Sequence, residues 1–103
     1  MNQNRIKLLE QYIREDPSDP FNQYALALEL ASEDQDRAIA LLLSLLKEKP
    51  QYLPSYYQAA VLLLDQNRIE ETKIVISQGI KIAVQQNEHK TIKELKQLQE
   101  ELD

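Results

Sequence analysis

The four prolines of this chain fall into two pairs, Pro17 with Pro20 and Pro50 with Pro54, and the second pair repeats the first at a distance of 33 to 34 residues. The contexts repeat as well. "DPSDPF" at 16–21 and "KPQYLP" at 49–54 each place a charged residue before the first proline, and an aromatic-rich run follows the second. A proline drives the residue before it out of the α region, yet it is welcome at the first position of a helix, where its missing N–H has no partner to lose. Each pair therefore stops one helix and starts another. A chain whose prolines all serve this purpose is expected to consist of two similar units.

Composition agrees on the type of element. A single glycine in 103 residues leaves little supply of positive-φ positions for tight hairpins, so a hairpin-rich β architecture is disfavoured. Hydrophobic residues make up 43% of the chain, enough for one modest core. Leu, Ala, Gln, Glu and Lys are abundant, and these are good helix formers. The expected fold class is all-α, a single domain over 1–103.

Apolar periodicity predicts about six helices. Ile6, Leu9, Tyr12 and Ile13 form one stripe on a first helix from about Asn4 to Glu15, closed by Pro17. Asp19 caps the second helix, with Pro20 at its first position. That helix carries two apolar stripes, Phe21, Tyr24, Ala25 and Leu28 on one and Leu26 with Leu30 on the other. Ser32 or Asp34 caps the third, with Ala38, Leu42, Leu45 and Leu46 in register and Pro50 beyond its end. The fourth starts near Pro54 with Tyr56, Ala59, Ala60 and Leu63, and has a second stripe of Tyr57, Val61 and Leu64. Asn67, with Glu70 three residues on, is expected to cap the fifth. That helix carries Ile69, Thr72, Ile76, Gly79, Ile80 and Ala83. The sixth carries Ile92, Leu95, Leu98 and Leu102. The β-branched run "KIVISQGIKIAV" at 73–84 could pair as a hairpin in isolation. It has no sheet to join, and the spacing from Ile69 to Ala83 is helical over a longer span, so helix is expected.

Sliding residues 21–50 onto 56–84 sets Phe21 on Tyr56, Ala25 on Ala60 and Leu28 on Leu63. After one extra residue in the first unit's turn, Ala38 falls on Thr72, Leu42 on Ile76 and Leu46 on Ile80. Two helices per unit, this period and a boundary proline predict an antiparallel helix-pair solenoid. These residues resemble the tetratricopeptide repeats. Phe21, Ala25, Ala38 and Pro50 match that family's aromatic, small, small and proline positions, as do Tyr56, Ala60 and Thr72 in the second unit. Leu45 departs from a small position that Gly79 keeps, and the glycine usual in the intra-repeat turn is missing from both units. The resemblance implies helix-pair repeats over 19–50 and 53–85. Before them it implies an N-terminal helix (4–17) left from a truncated repeat, and after them a C-terminal capping helix (88–103).

The inventory of reactive groups points away from an enzyme. There is no cysteine, the one histidine, His89, sits in a polar stretch, and no glycine-rich phosphate loop occurs. Adjacent carboxylates such as Asp34 with Asp36, or Glu70 with Glu71, suit helix N-termini. No cofactor and no metal site is expected. Acids outnumber bases by 10 to 6 over residues 1–66 and 7 to 6 over 67–103, so neither nucleic acid nor an anionic membrane is an expected partner. No apolar run is long enough to span a bilayer or act as a signal peptide, which predicts a cytoplasmic protein. The resemblance implies a protein or peptide partner on the concave face. The matching residues there are Asn22, Leu26 and Glu29 with Tyr57, Val61, Leu64 and Asp65. Because these are mainly apolar or acidic, the groove suits a hydrophobic peptide or amphipathic helix. Two alternatives stand beside it: Tyr57, Val61 and Leu64 could be core beneath a neighbouring helix, or the seam of a homodimer.

Overall fold

The computed structural model describes residues 2–102; Met1 and Asp103, the ends of the 1–103 span, lie outside the described residues. Six α-helices follow in order: α1 (Gln3–Glu15), α2 (Pro20–Leu30), α3 (Gln35–Glu48), α4 (Pro54–Asp65), α5 (Ile69–Gln85) and α6 (His89–Leu102). No strand occurs among the described residues, and 73–84 lies wholly inside α5. The chain falls into two compact units, residues 1–52 and 53–103, with three helices in each.

In the first unit α1 packs on α2 and α2 on α3. Asn2 caps α1 by accepting from the Arg5 amide at 3.0 Å. Asp16 and Lys49, each preceding a proline, leave helical geometry at φ −142° and −131°, which ends α1 and α3 as the steric clash with the proline ring requires. Asp19 Oδ1 accepts from the Phe21 amide at 3.0 Å with Pro20 at the helix start, and Asp34, rather than Ser32, caps α3 through the Arg37 amide at 3.2 Å. The core collects Ile6 and Leu9 of α1, Ala25, Leu26, Ala27 and Leu30 of α2, and Ala38, Ile39, Leu42 and Leu45 of α3.

In the second unit α5 is the central helix, packed on α4 and on α6. Gly79 lies where it meets both. A Cβ built there would stand 2.8 Å from Tyr56 Cβ on α4 and 2.9 Å from Leu95 Cδ1 on α6. The one glycine in the chain is therefore a close-approach residue. Thr72, fully buried on the same helix, donates its hydroxyl to the Arg68 carbonyl at 2.7 Å. Ser55, equally buried in the first turn of α4, has no partner for its Oγ. A buried hydroxyl without a hydrogen bond keeps its full desolvation cost. Ser55→Ala is therefore expected to be at least as stable as the parent, by up to about 1 kcal/mol, in urea unfolding. A loss of stability would show that Oγ is bonded in solution.

The turns explain how a chain so poor in glycine closes its helix pairs. Asn67 and Asn87 both adopt φ 57°. The Arg68 amide reaches the Leu63 carbonyl at 2.9 Å and the Asn67 amide reaches Leu64 at 2.9 Å; Glu88 to Ala83 (2.9 Å) and Asn87 to Val84 (3.1 Å) repeat the pattern. These are Schellman closures with asparagine in the left-handed position, the residue after glycine that tolerates it best. Asn67 therefore terminates α4 and does not cap α5, correcting the expected capping box. The N-cap of α5 is Arg68, which has no side-chain cap bond of its own. After α2 the chain instead continues through Ala31 in right-handed geometry to the Asp34 cap, with the Asp34 amide on the Leu30 carbonyl at 2.8 Å.

This difference in turns corrects the internal alignment. In α3 and α5 the offset of 34 stands, since Ala38, Leu42 and Leu45 are buried as Thr72, Ile76 and Gly79 are. On α2 the buried residues Leu26, Ala27 and Leu30 occupy the places of Ala59, Ala60 and Leu63, an offset of 33. The first turn is one residue shorter than the second, not one longer. Phe21 and Leu28, matched by sequence to the core residues Tyr56 and Leu63, are instead 55% and 43% exposed. Two residues of register turn an α-helix by about 200°, so the stripe expected inside faces out.

Candidate functional site

The seven residues expected to contact a partner fall into one set on each unit. On α4, Tyr57, Val61 and Leu64 follow at i, i+4 and i+7 and are all half-buried, with Asp65 exposed beside them. The opposite side of the helix, Tyr56, Ala59, Ala60 and Leu63, is buried. On α2 the outcome is mixed. Asn22 and Glu29 are half-buried, and Glu29 holds the Arg5 guanidinium of α1 at 2.6 Å. Leu26 is 4% exposed and belongs to the core, so it offers no surface as the chain is folded. Its burial follows from the shorter turn, which rotates Leu26 into the position of Ala59.

The corrected offset brings out a further stripe on α2. Tyr24 and Leu28 correspond to Tyr57 and Val61, and with Phe21 they make an outward stripe on α2. The Tyr24 ring meets Tyr52 edge-on, with centroids 5.7 Å apart and planes at 68°. Burial pushes the Tyr52 hydroxyl above its ordinary pKa, with smaller contributions from Tyr24 and Asp19. Beside this pair Pro20, Lys49, Pro50 and Tyr52 line an open cleft. A signal for the stripe was present: "ASED" between α2 and α3 has no glycine or asparagine, so a left-handed closure like that at Asn67 was not available to it.

The remaining polar groups serve the helices. Arg68 grips Glu71 through two nitrogens at 2.8 and 2.7 Å, and this hydrogen bonding holds the Glu71 carboxyl below the usual range. Arg37 reaches Glu10 at 3.1 Å, tying α3 to α1. His89 is exposed at the first position of α6. Among the described residues no three His, Asp or Glu side chains gather as a metal site would require, and no helix is long and apolar enough to cross a membrane.

Antiparallel helix pairs closed by short turns, with small residues at the crossings, define an all-α helical-repeat protein. No family model and no curated protein matches the chain. Among solved structures it is similar to a tetratricopeptide repeat domain protein from Salinibacter ruber. The solution NMR structure aligns with a TM-score of 0.79 and 32% identity, covering 85% of this chain and 90% of that one. A crystal structure of a tetratricopeptide repeat domain protein from the same organism aligns with a TM-score of 0.78 and 30% identity, over 82% and 96%. The chain belongs to the tetratricopeptide repeat family.

Proposed function

We propose that this chain is a non-enzymatic, cytoplasmic protein-interaction module that takes a peptide or helix of a partner protein on the outward faces of its first-of-pair helices. On the second unit the contact residues are Tyr57, Val61, Leu64 and Asp65 of α4, and on the first unit, taken by itself, they are Asn22 and Glu29 of α2. The observation that carries this reading is the incomplete burial of Tyr57, Val61 and Leu64 on a helix whose other apolar stripe is closed. Such an apolar stripe is the surface into which an amphipathic partner can insert its own. Family membership supports the general role, since repeats of this kind serve protein–protein interaction. Neither set carries a Lys or Arg, so the partner's terminal carboxylate is not what it recognises.

Val61→Lys tests the reading. The variant is expected to keep its helical circular dichroism and to lose no more than about 1 kcal/mol of stability, because Val61 is only half-buried and a lysine can lay its stem along the stripe with its ammonium in water. It is also expected to lose the chains that co-purify with the parent from its native cell, while its own mass in light scattering stays the same. Halving of that mass would replace the proposal with a homodimer seam. Unfolding would assign Val61 to the core, because a buried unpaired charge is among the costliest substitutions.

A further inference from the structure

From Glu15 to Asp36 the chain carries seven carboxylates and not one Lys or Arg. This segment contains the whole of α2 and both of its flanking turns. Near its centre lie the exposed Phe21 and Leu28, one face of the helix two turns apart, about 10 Å along the axis. Asp16 and Asp19 stand at the Phe21 end, and Glu33, Asp34 and Asp36 follow the Leu28 end. The bases of the unit lie on α1 and α3 and at the end of α3. Of these, Arg5 pairs with Glu29, Arg37 with Glu10, and Lys49 lines the cleft beside Pro20; within Glu15–Asp36 itself every charged residue is an acid.

We infer that the Phe21–Leu28 stripe of α2 takes a basic amphipathic helix, one with two apolar residues a turn or two apart and Lys or Arg beyond each of them. The inference rests on the interaction-module reading and names the chemistry of the partner. An apolar centre gives such a helix its affinity, and carboxylates at both ends select its charge and speed its approach. The same charges repel an acidic helix and an anionic lipid surface.

Two synthetic 18-residue helices with identical leucine faces test this, one with lysine and one with glutamate at every polar position. Each is titrated into the full chain, followed by amide NMR shifts at 50 mM and 500 mM salt. The lysine helix is expected to bind at least tenfold more tightly than the glutamate helix, to shift Phe21 and Leu28 most, and to weaken at least tenfold at the higher salt. Leu28→Lys is expected to abolish the difference between the helices while leaving the helical circular dichroism and the cooperative unfolding transition in place. Phe21→Ala, which changes no charge, should weaken the lysine helix while preserving its preference over the glutamate helix. Equal binding of both helices, or shifts confined to Tyr57 and Val61, would overturn the inference yet leave the module reading intact. Binding of neither helix would overturn it too, and the Val61→Lys result would then decide the module reading separately. A change in the mass of the protein alone on Leu28→Lys would make the stripe a self-interface and likewise sink the inference.

Discussion

Leu30→Ala should destabilise the protein by about 2–5 kcal/mol, whereas Leu28→Ala on the same helix should cost no more than about 1 kcal/mol. Leu30 is fully enclosed by the first unit, and cutting it back leaves a cavity its neighbours can only partly refill. Leu28 already keeps 43% of its surface in water, so truncation removes less buried area and leaves no enclosed cavity. The pair is a direct measure of the register of α2. Were the alignment with an extra residue in the first turn correct, Leu28 would hold the place of Leu63 and the two costs would be exchanged. Urea unfolding of the two variants, analysed at a common slope, distinguishes the arrangements.

Gly79→Leu should be comparably damaging for the opposite reason. In most helix interiors replacing glycine stabilises by about 1 kcal/mol, because glycine has the most backbone freedom to lose. Here the first added carbon already meets Tyr56 Cβ at 2.8 Å, an atom fixed to the α4 backbone that no rotamer change can move. Leu95 Cδ1, at 2.9 Å, is the end of a flexible side chain and can yield. Overpacking of this kind costs about 1–3 kcal/mol or more. Gly79→Ala is expected to destabilise less than Gly79→Leu, and both should lower the melting temperature. A rise for Gly79→Ala would mean that α4 and α5 stand farther apart in solution than the crossing at Gly79 requires.

Much of the architecture was legible along the chain because local chemistry dictates it. The Asp16–Pro17 and Lys49–Pro50 steps end helices through a clash that needs no tertiary context, and Asp19 and Asp34 cap helices through bonds to amides two or three residues away. The helix through 73–84 was legible too, since its apolar spacing persists over more turns than the short alternation at Ile80–Ile82. On α4 the sequence separated two stripes but left open whether the second was core; the structure closes Tyr56, Ala59, Ala60 and Leu63 and leaves Tyr57, Val61 and Leu64 half-buried.

What the sequence by itself determined, then, was helix type, helix ends and the repeating pair. Only the tertiary structure decided which way α2 faces. That helix is apolar on two sides, with Phe21, Tyr24 and Leu28 on one and Leu26, Ala27 and Leu30 on the other, and hydrophobicity alone does not choose between them. The choice depends on one residue in the turn to α3. Adding or removing a residue rotates the preceding helix by about 100° relative to the next, so mistaking a shortened turn for a lengthened one reverses the face. The burial of Leu26 and the exposure of Leu28 both follow from that rotation. The same holds for Asn67: its composition suits either end of a helix, and the φ of 57° that makes it the close of α4 is set by the carbonyls of Leu63 and Leu64 waiting to be satisfied.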